Sequence, residues 1–117
     1  MILDIEKLSE SVNYDKKLLY TNLRLFIQNE PSLEIKLVKS FEVKNNAELY
    51  QATEDLYQMT EFLEVAKLQR NIRDLQALAL HNNLNDTLAE NLKESLVSML
   101  GDLKEEVNYL LNEQNGN

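Results

Sequence analysis

Apolar residues recur along this chain every three or four positions, a spacing that places side chains on one face of an α-helix. The clearest run comprises Leu49, Ala52, Leu56, Met59 and Leu63. Four other stretches share the spacing: Ile2, Ile5, Leu8 and Val12; Leu19, Leu23 and Phe26, continued by Leu33, Leu37 and Phe41; Val65, Leu68, Ile72, Leu75 and Ala79; and Leu88, Leu92, Leu96, Met99, Leu103, Val107 and Leu110. The pattern predicts five helical segments.

Polar residues between these runs predict where the helices begin and end. Asn13 ends a short first helix over residues 3–12, and Asp15 caps the second. Pro31 either restarts or bends that second segment, because proline lacks the N–H that a helix interior uses. A turn is predicted at Lys44–Asn46, where either Asn caps a helix over residues 47–63. Glu64 starts the fourth segment, and His81–Asn83 end it. Asn85 or Asp86 caps the last helix.

The composition favours an all-α fold. The 117 residues include only 2 Gly and 1 Pro, and 44% are hydrophobic, enough for one domain with its own core. Four long amphipathic segments with short connections predict an up-down-up-down antiparallel four-helix bundle, with the short first helix capping one end. The expected domain is 1–112, followed by a polar tail, 113–117, that frays. Gly101 lies inside the last helix, where it weakens the helix or permits close approach of a neighbour.

The charge narrows the range of partners. A formal net charge of −8 opposes binding to nucleic acids and anionic membranes, both of which require clustered cations. The chain has no Cys, which fits a reducing compartment, and it shows neither a secretory signal nor an apolar run of about 18 residues. The expected location is therefore the cytoplasm.

The chain has few of the residues and motifs that catalysis commonly requires. It has no Gly-rich phosphate-binding loop, and its one histidine, His81, lies in a predicted turn. A di-iron bundle site requires two histidines, and the many acidic residues are expected at the surface. We expect no enzyme activity, no metal and no cofactor.

One segment resembles the phosphosite helix of histidine phosphotransfer (HPt) domains. That family carries a phosphorylatable His, then Leu two residues on, Lys-Gly at the third and fourth positions, and Leu at the ninth and fourteenth. Here Leu56, Leu63 and Leu68 keep that spacing from Glu54. Three further stretches also resemble the family: the opening Met1–Leu8, the Asp15–Leu19 and Phe26–Pro31 run, and the turn Asn45–Leu49.

The resemblance implies the scaffold of a phosphorelay protein without its chemistry. Glu54 stands where the family has its His, and a carboxylate would form a high-energy acyl phosphate. Tyr57 lacks the positive charge of the family's Lys, and Gln58 fills the space that its Gly leaves for the receiver. The expected function is that of a degenerate HPt-like adaptor that binds a receiver or histidine-kinase domain without carrying phosphate.

The same resemblance suggests a partner-binding surface. It comprises Tyr50, Glu54, Tyr57, Gln58 and Glu61 on the outward side of one helix, with Phe62 nearby, and Lys67 and Arg70 of the next helix. Exposed aromatic residues favour interfaces, and a basic rim that includes Arg73 would steer an acidic receiver. The alternative is a solvated surface on which the Tyr rings pack down and pairs such as Glu64–Lys67 and Arg70–Asp74 form within the helix.

Two other interpretations remain. The chain could be a generic helical interaction bundle or a homodimer subunit unrelated to phosphorelay. It could also be a true phosphotransfer protein that uses His81, but the sequence after His81 provides none of the Leu, Lys and Gly that the family places there.

Overall fold

Helices account for most of residues 1–115, which a computed structural model of the protein describes, with side chains described through residue 113. The helices are α1 (Ile5–Ser11), α2 (Lys16–Glu42), α3 (Asn46–Thr60), α4 (Ala66–Leu80) and α5 (Thr87–Asn115), and a 3₁₀ turn at Glu61–Leu63 joins α3 to α4. Residues 1–115 contain no strand, so the prediction of an all-α chain is confirmed.

Side chains of Asp and Asn cap the α-helices other than α4, as the sequence predicts for α2 and α3, whereas α4 follows Val65 and has no side-chain cap. Asp15 Oδ1 accepts a hydrogen bond from the N–H of Leu18 at 3.1 Å, and Asn45 Oδ1 accepts from Glu48 at 3.0 Å. Asp86 Oδ1 does the same for Leu88 at 2.9 Å, which selects Asp86 over Asn85 as the cap of α5. Each carboxylate or amide oxygen satisfies an N–H that has no partner within its helix.

The connection between α3 and α4 differs from the prediction. The regular part of α3 ends at Thr60 rather than at residue 63, and α4 begins at Ala66. Glu64 does not start the fourth helix, because its φ of 55° lies in the left-handed region, where the chain turns. At the other end of the chain, α5 continues through Asn115, past the predicted start of a frayed tail, and residues 116–117 of that tail lie outside the described residues.

The long helix α2 resolves the two alternatives at Pro31. It runs unbroken from Lys16 to Glu42, with Pro31 near its middle, so the helix does not restart. Pro31 has no N–H for the carbonyl of Ile27, so α2 lacks one hydrogen bond there. Helices of this length set the long axis of the molecule, whose extents are 48 × 22 × 21 Å.

Contacts join α2 to α3, α3 to α4, α4 to α5, and α2 to α5, while α1 contacts α2 and the 3₁₀ turn. The largest fully buried side chains come from all of these elements: Leu8, Leu23, Phe26, Leu37, Leu49, Leu56, Leu63, Leu68, Ile72, Leu75, Leu96 and Leu100. Most predicted stripe residues lie in this core, which explains why their spacing identified the helices.

Three stripe residues face solvent instead. Ile2 and Ile5 are exposed, whereas Leu3 between them is buried. The N–H of Leu3 donates to Glu106 Oε1 at 3.0 Å, which ties the residues before α1 to α5. Leu88, in the first turn of α5, is 53% exposed, and the adjacent Ala89 is buried in its place. The apolar pattern is therefore a poor guide at the ends of α1 and α5.

Gly101 does not mark a close approach between helices, because a Cβ built on it meets no atom within 4 Å. We therefore expect Gly101→Ala to raise the free energy of unfolding by about 1 kcal/mol, since alanine restricts the unfolded chain and favours the helix. Urea unfolding followed by circular dichroism measures this change. A less stable variant would show that the site has no room for a methyl group.

Candidate functional site

Helices α3 and α4 lie side by side and run in opposite directions. Asn46, at the start of α3, donates from Nδ2 to Asn82 Oδ1 just beyond α4 at 2.8 Å. Further along, Gln76 Nε2 lies 3.3 Å from the carbonyl oxygen of Tyr50. This antiparallel register brings the middle of α3, where Glu54 lies, against the middle of α4.

Both carboxylate oxygens of Glu54 accept hydrogen bonds. Oε2 accepts from Arg73 Nη1 at 2.7 Å and from Gln76 Nε2 at 3.0 Å, and Oε1 accepts from Gln58 Nε2 at 3.2 Å. The side chain of Glu54 is 29% exposed, and its hydrogen bonds hold it against α4 rather than leaving it free in water. It is the centre of a polar network that bridges the two helices.

Arg73 is held from two directions. Its Nη1 also donates to Gln76 Oε1 at 2.7 Å, and its guanidinium carbon lies 3.6 Å from the centroid of the Tyr57 ring. A guanidinium stacked on an aromatic face is stabilised by a cation–π interaction. Tyr57 therefore supplies a platform for the cation of the neighbouring helix.

The network keeps the acid and the base charged. Hydrogen bonds from Gln76, Arg73 and Gln58 lower the pKa of Glu54 below its ordinary value. The hydrogen bond to Glu54 raises the pKa of Arg73. Each partner favours the ionised form of the other, so we expect an anion beside a cation on this surface at neutral pH.

An apolar groove adjoins the network at the start of α3. It has a volume of about 300 Å³, and its lining includes Ala47, Tyr50, Ala79 and Leu80. Leu80 is 63% exposed and adds apolar area to this groove. We call the surface formed by Ala47, Tyr50, Glu54, Tyr57, Gln58, Arg73 and Leu80 the α3/α4 face.

The other predicted site residues lie away from this network. Glu61 is exposed in the 3₁₀ turn, and Arg70 is exposed on α4 without an ion pair among the described residues. Lys67 lines a different groove, between α4 and α5, with Ser95 and Ser98. Phe62 lies in a third groove, with Leu25 of α2.

Gln76 is the residue that sequence reasoning missed. It is buried, and its amide bonds to Glu54, Arg73 and the backbone of Tyr50. His81, the alternative phosphoacceptor, is exposed at the C-terminal end of α4 and is not part of the network. Only Tyr50, Glu54, Tyr57 and Gln58 of the predicted set therefore come together.

Residues that could bind a metal do not converge in the part of the chain that the structure describes, where no group of three His, Cys, Asp or Glu side chains is found. Over the same residues, each helix is too short or too polar to cross a membrane. Comparison of the chain with protein-family models, with curated proteins and with solved structures gave no match.

Proposed function

We propose that this protein is a degenerate HPt-like signalling adaptor. It binds a receiver or histidine-kinase domain of a two-component phosphorelay through the α3/α4 face, and it carries no phosphoryl group itself. In this proposal, α2 to α5 form an up-down-up-down bundle and α1 caps one end. The contacts of α2 with both α3 and α5, and the antiparallel register of α3 and α4, support that arrangement.

The observation that carries the proposal is the position and bonding of Glu54. The HPt resemblance places a phosphorylatable imidazole there, on the surface in the middle of a helix. In its place stands a carboxylate whose two oxygens already accept three hydrogen bonds. Phosphorylation would break this network and yield an unstable acyl phosphate, so Glu54 is a poor phosphoryl acceptor.

The surroundings of Glu54 favour protein binding. Tyr50 and Leu80 expose apolar area beside a charged pair, and Arg73 lies against the ring of Tyr57. An apolar patch with a polar rim is the common anatomy of a protein interface. Receiver domains have an acidic phosphorylation pocket, which the exposed cations Arg70 and Arg73 would attract.

Binding to a panel of purified receiver domains tests the proposal. We expect at least one receiver to bind the unmodified protein, and we expect Tyr57→Ala and Glu54→Lys to weaken that binding. The first variant removes the platform under Arg73, and the second places an ammonium group beside the guanidinium. Isothermal titration calorimetry measures both effects.

Glu105→Lys is the matched control, because it makes the same change of charge at an exposed position on α5. Its affinity should equal that of the unmodified protein. If no receiver binds, or if both α3 variants bind as tightly as the control, the proposal is wrong.

A homodimer is the second candidate, and a separate apolar surface favours it. Leu18 and Leu25 are exposed seven residues apart on α2, and Leu25 borders a groove of about 300 Å³ with Met59 and Phe62. Residues at heptad spacing share a helix face that a second helix can cover. Light scattering decides the matter: a monomeric mass at 100 µM protein would remove this candidate.

A further inference from the structure

The guanidinium of Arg73 has one occupied edge and one open edge. Both of its hydrogen bonds leave from Nη1, to Glu54 and Gln76. Among the described residues, no hydrogen bond of regular geometry leaves Nε or Nη2, and the side chain is 43% exposed. Glu54 raises the pKa of Arg73 most, and Tyr57 adds to the increase. Nε and Nη2 form the pair of parallel donors that matches a carboxylate in a bidentate pair.

The open edge is fixed in position before any partner arrives. The ring of Tyr57, 3.6 Å from the guanidinium carbon, holds one face, and the two short bonds at Nη1 fix the rotation. A side chain that is already ordered loses less conformational entropy on binding. Arg73 is therefore better prepared to bind an anion than a freely moving surface cation such as Arg70.

An apolar site lies next to this donor pair. Gln76 joins the two, because its Oε1 accepts from Arg73 while its Nε2 donates to the carbonyl of Tyr50, which lines the groove with Leu80. A ligand that paired with Arg73 could therefore place a neighbouring apolar side chain against Tyr50 and Leu80.

We propose that Arg73 recognises an Asp or Glu carboxylate on the partner protein, and that an apolar side chain beside that carboxylate enters the groove at Tyr50 and Leu80. The location rests on the proposed function of the α3/α4 face, whereas the chemistry of the ligand rests on Arg73 and the groove. Glu54 is less suited than Arg73 to bind the partner, because three of its roughly four acceptor positions are already occupied within the chain.

Charge complementarity selects a carboxylate on a protein over a nucleic acid. The chain carries a net charge of −8, and Arg73 is already paired with Glu54, so a polyanion would gain few cation contacts and meet net repulsion from the chain. A single carboxylate flanked by apolar atoms matches one guanidinium beside one apolar groove.

The first arm of the test uses the receiver panel. We expect Arg73→Gln to weaken binding about tenfold, and Arg73→Lys to weaken it less, because lysine keeps the charge and loses the planar fork. Arg24→Gln is the control, because it removes the same charge from an exposed position on α2, away from the α3/α4 face, and we expect it to change affinity less than about twofold. Receiver binding that Arg73→Gln leaves unchanged would overturn the proposal while the adaptor function stands.

The second arm needs no receiver. The ¹⁵N-labelled protein, which has only three arginines, is titrated with an acetylated peptide in which two aspartates flank a leucine, and with the same peptide carrying asparagines. We expect the Nε–H signal of Arg73 to shift with the aspartate peptide alone, together with amide signals around Tyr50 and Leu80. The signals of Arg24 and Arg70 should move little.

The two arms distinguish the proposals. If the aspartate peptide shifts Arg73 and no receiver binds, the adaptor function fails and the carboxylate site stands. If the two peptides act alike, or if the shifts occur away from Arg73, the carboxylate site is refuted whatever the receivers do. The peptide arm uses the unmodified protein, so it gives an answer even if an Arg73 variant fails to fold.

Discussion

Glu30→Gln should stabilise the protein by about 2 kcal/mol at pH 8 and change its stability little at pH 4.5. Glu30 lies in α2 against α5 and is 0% exposed. Lys104 Nζ is 3.0 Å from its Oε2, but no hydrogen bond of regular geometry reaches either oxygen among the described residues. A buried carboxylate with so few partners is costly in its charged form.

The direction of the pH dependence follows from the pKa. Burial raises the pKa of Glu30 from 4.5 to about 7; nearby Glu34 adds to the increase, and Lys104 opposes it. The folded protein therefore binds this proton more tightly than the unfolded chain does. The stability that the protonated carboxyl contributes is fully present below pH 4.5 and is lost as the pH rises to about 7, with a maximum effect of about 3 kcal/mol.

Glutamine keeps the size of the side chain and cannot ionise, so the variant keeps this stability at high pH. Urea unfolding of both proteins between pH 4.5 and pH 8 gives the difference at each pH, and the other titrating groups largely cancel in it. Lys104 retains Glu34 as a partner at 3.3 Å, which limits secondary effects. A difference that does not grow between pH 4.5 and pH 8 would show that Glu30 does not titrate in this range.

Lys104→Met should destabilise the protein by about 3 kcal/mol at pH 8, the largest loss that we expect from a single exposed or partly exposed position. Its side chain is 28% exposed and lies within 3.3 Å of an oxygen of Glu30 and of Glu34. Burial alone would lower the pKa of Lys104, but the two acids outweigh that effect and raise it. Removal of the ammonium leaves a buried carboxylate and a second acid without their cation.

The loss should shrink at pH 4.5, because Glu30 is then protonated and needs no cation. Lys93→Met provides the comparison. Lys93 is also on α5, but it pairs at 3.3 Å with the more exposed Glu90. We therefore expect Lys93→Met to lower the free energy of unfolding by less than about 1 kcal/mol at both pH values. Equal losses for the two lysine variants at pH 8 would contradict the account of the α2–α5 contact.

The sequence was sufficient to predict the helices because burial follows helical periodicity. Leu49, Leu56 and Leu68 are fully buried at the predicted spacing. The cap Asp15 was also predictable, and Asn45 was one of two candidates, because a short polar side chain can bond an N–H only three residues away. The structure selects Asn45 over Asn46. The helices and their caps depend on residues that are close together in the sequence, so the sequence pattern is enough to predict them.

Contacts between distant segments were not predictable in this way. A glutamate next to a proline in an acidic chain suggests a surface residue, and nothing near Glu30 indicates that Lys104 of α5 will lie 3.0 Å away. The link between Gln76 and Glu54 likewise depends on the register of α3 against α4, and a neutral side chain leaves no charge pattern to reveal it.

The grouping of Lys67 with the basic rim could have been tested from the sequence. Lys67 lies six positions before Arg73, which places the two about 120° apart around a helix of 3.6 residues per turn. The structure agrees, because Lys67 faces the α4/α5 groove while Arg73 faces α3. Helical geometry alone would therefore have separated the two cations.

The central claim is that this protein binds a receiver without accepting its phosphate. The most direct measurement incubates the protein with ³²P-labelled phosphorylated receivers and follows complex formation and the label on each chain by gel filtration. We predict a complex with at least one receiver and no ³²P on this protein. A base-stable label on this protein that disappears in His81→Ala would contradict the claim, because it would identify a working phosphohistidine.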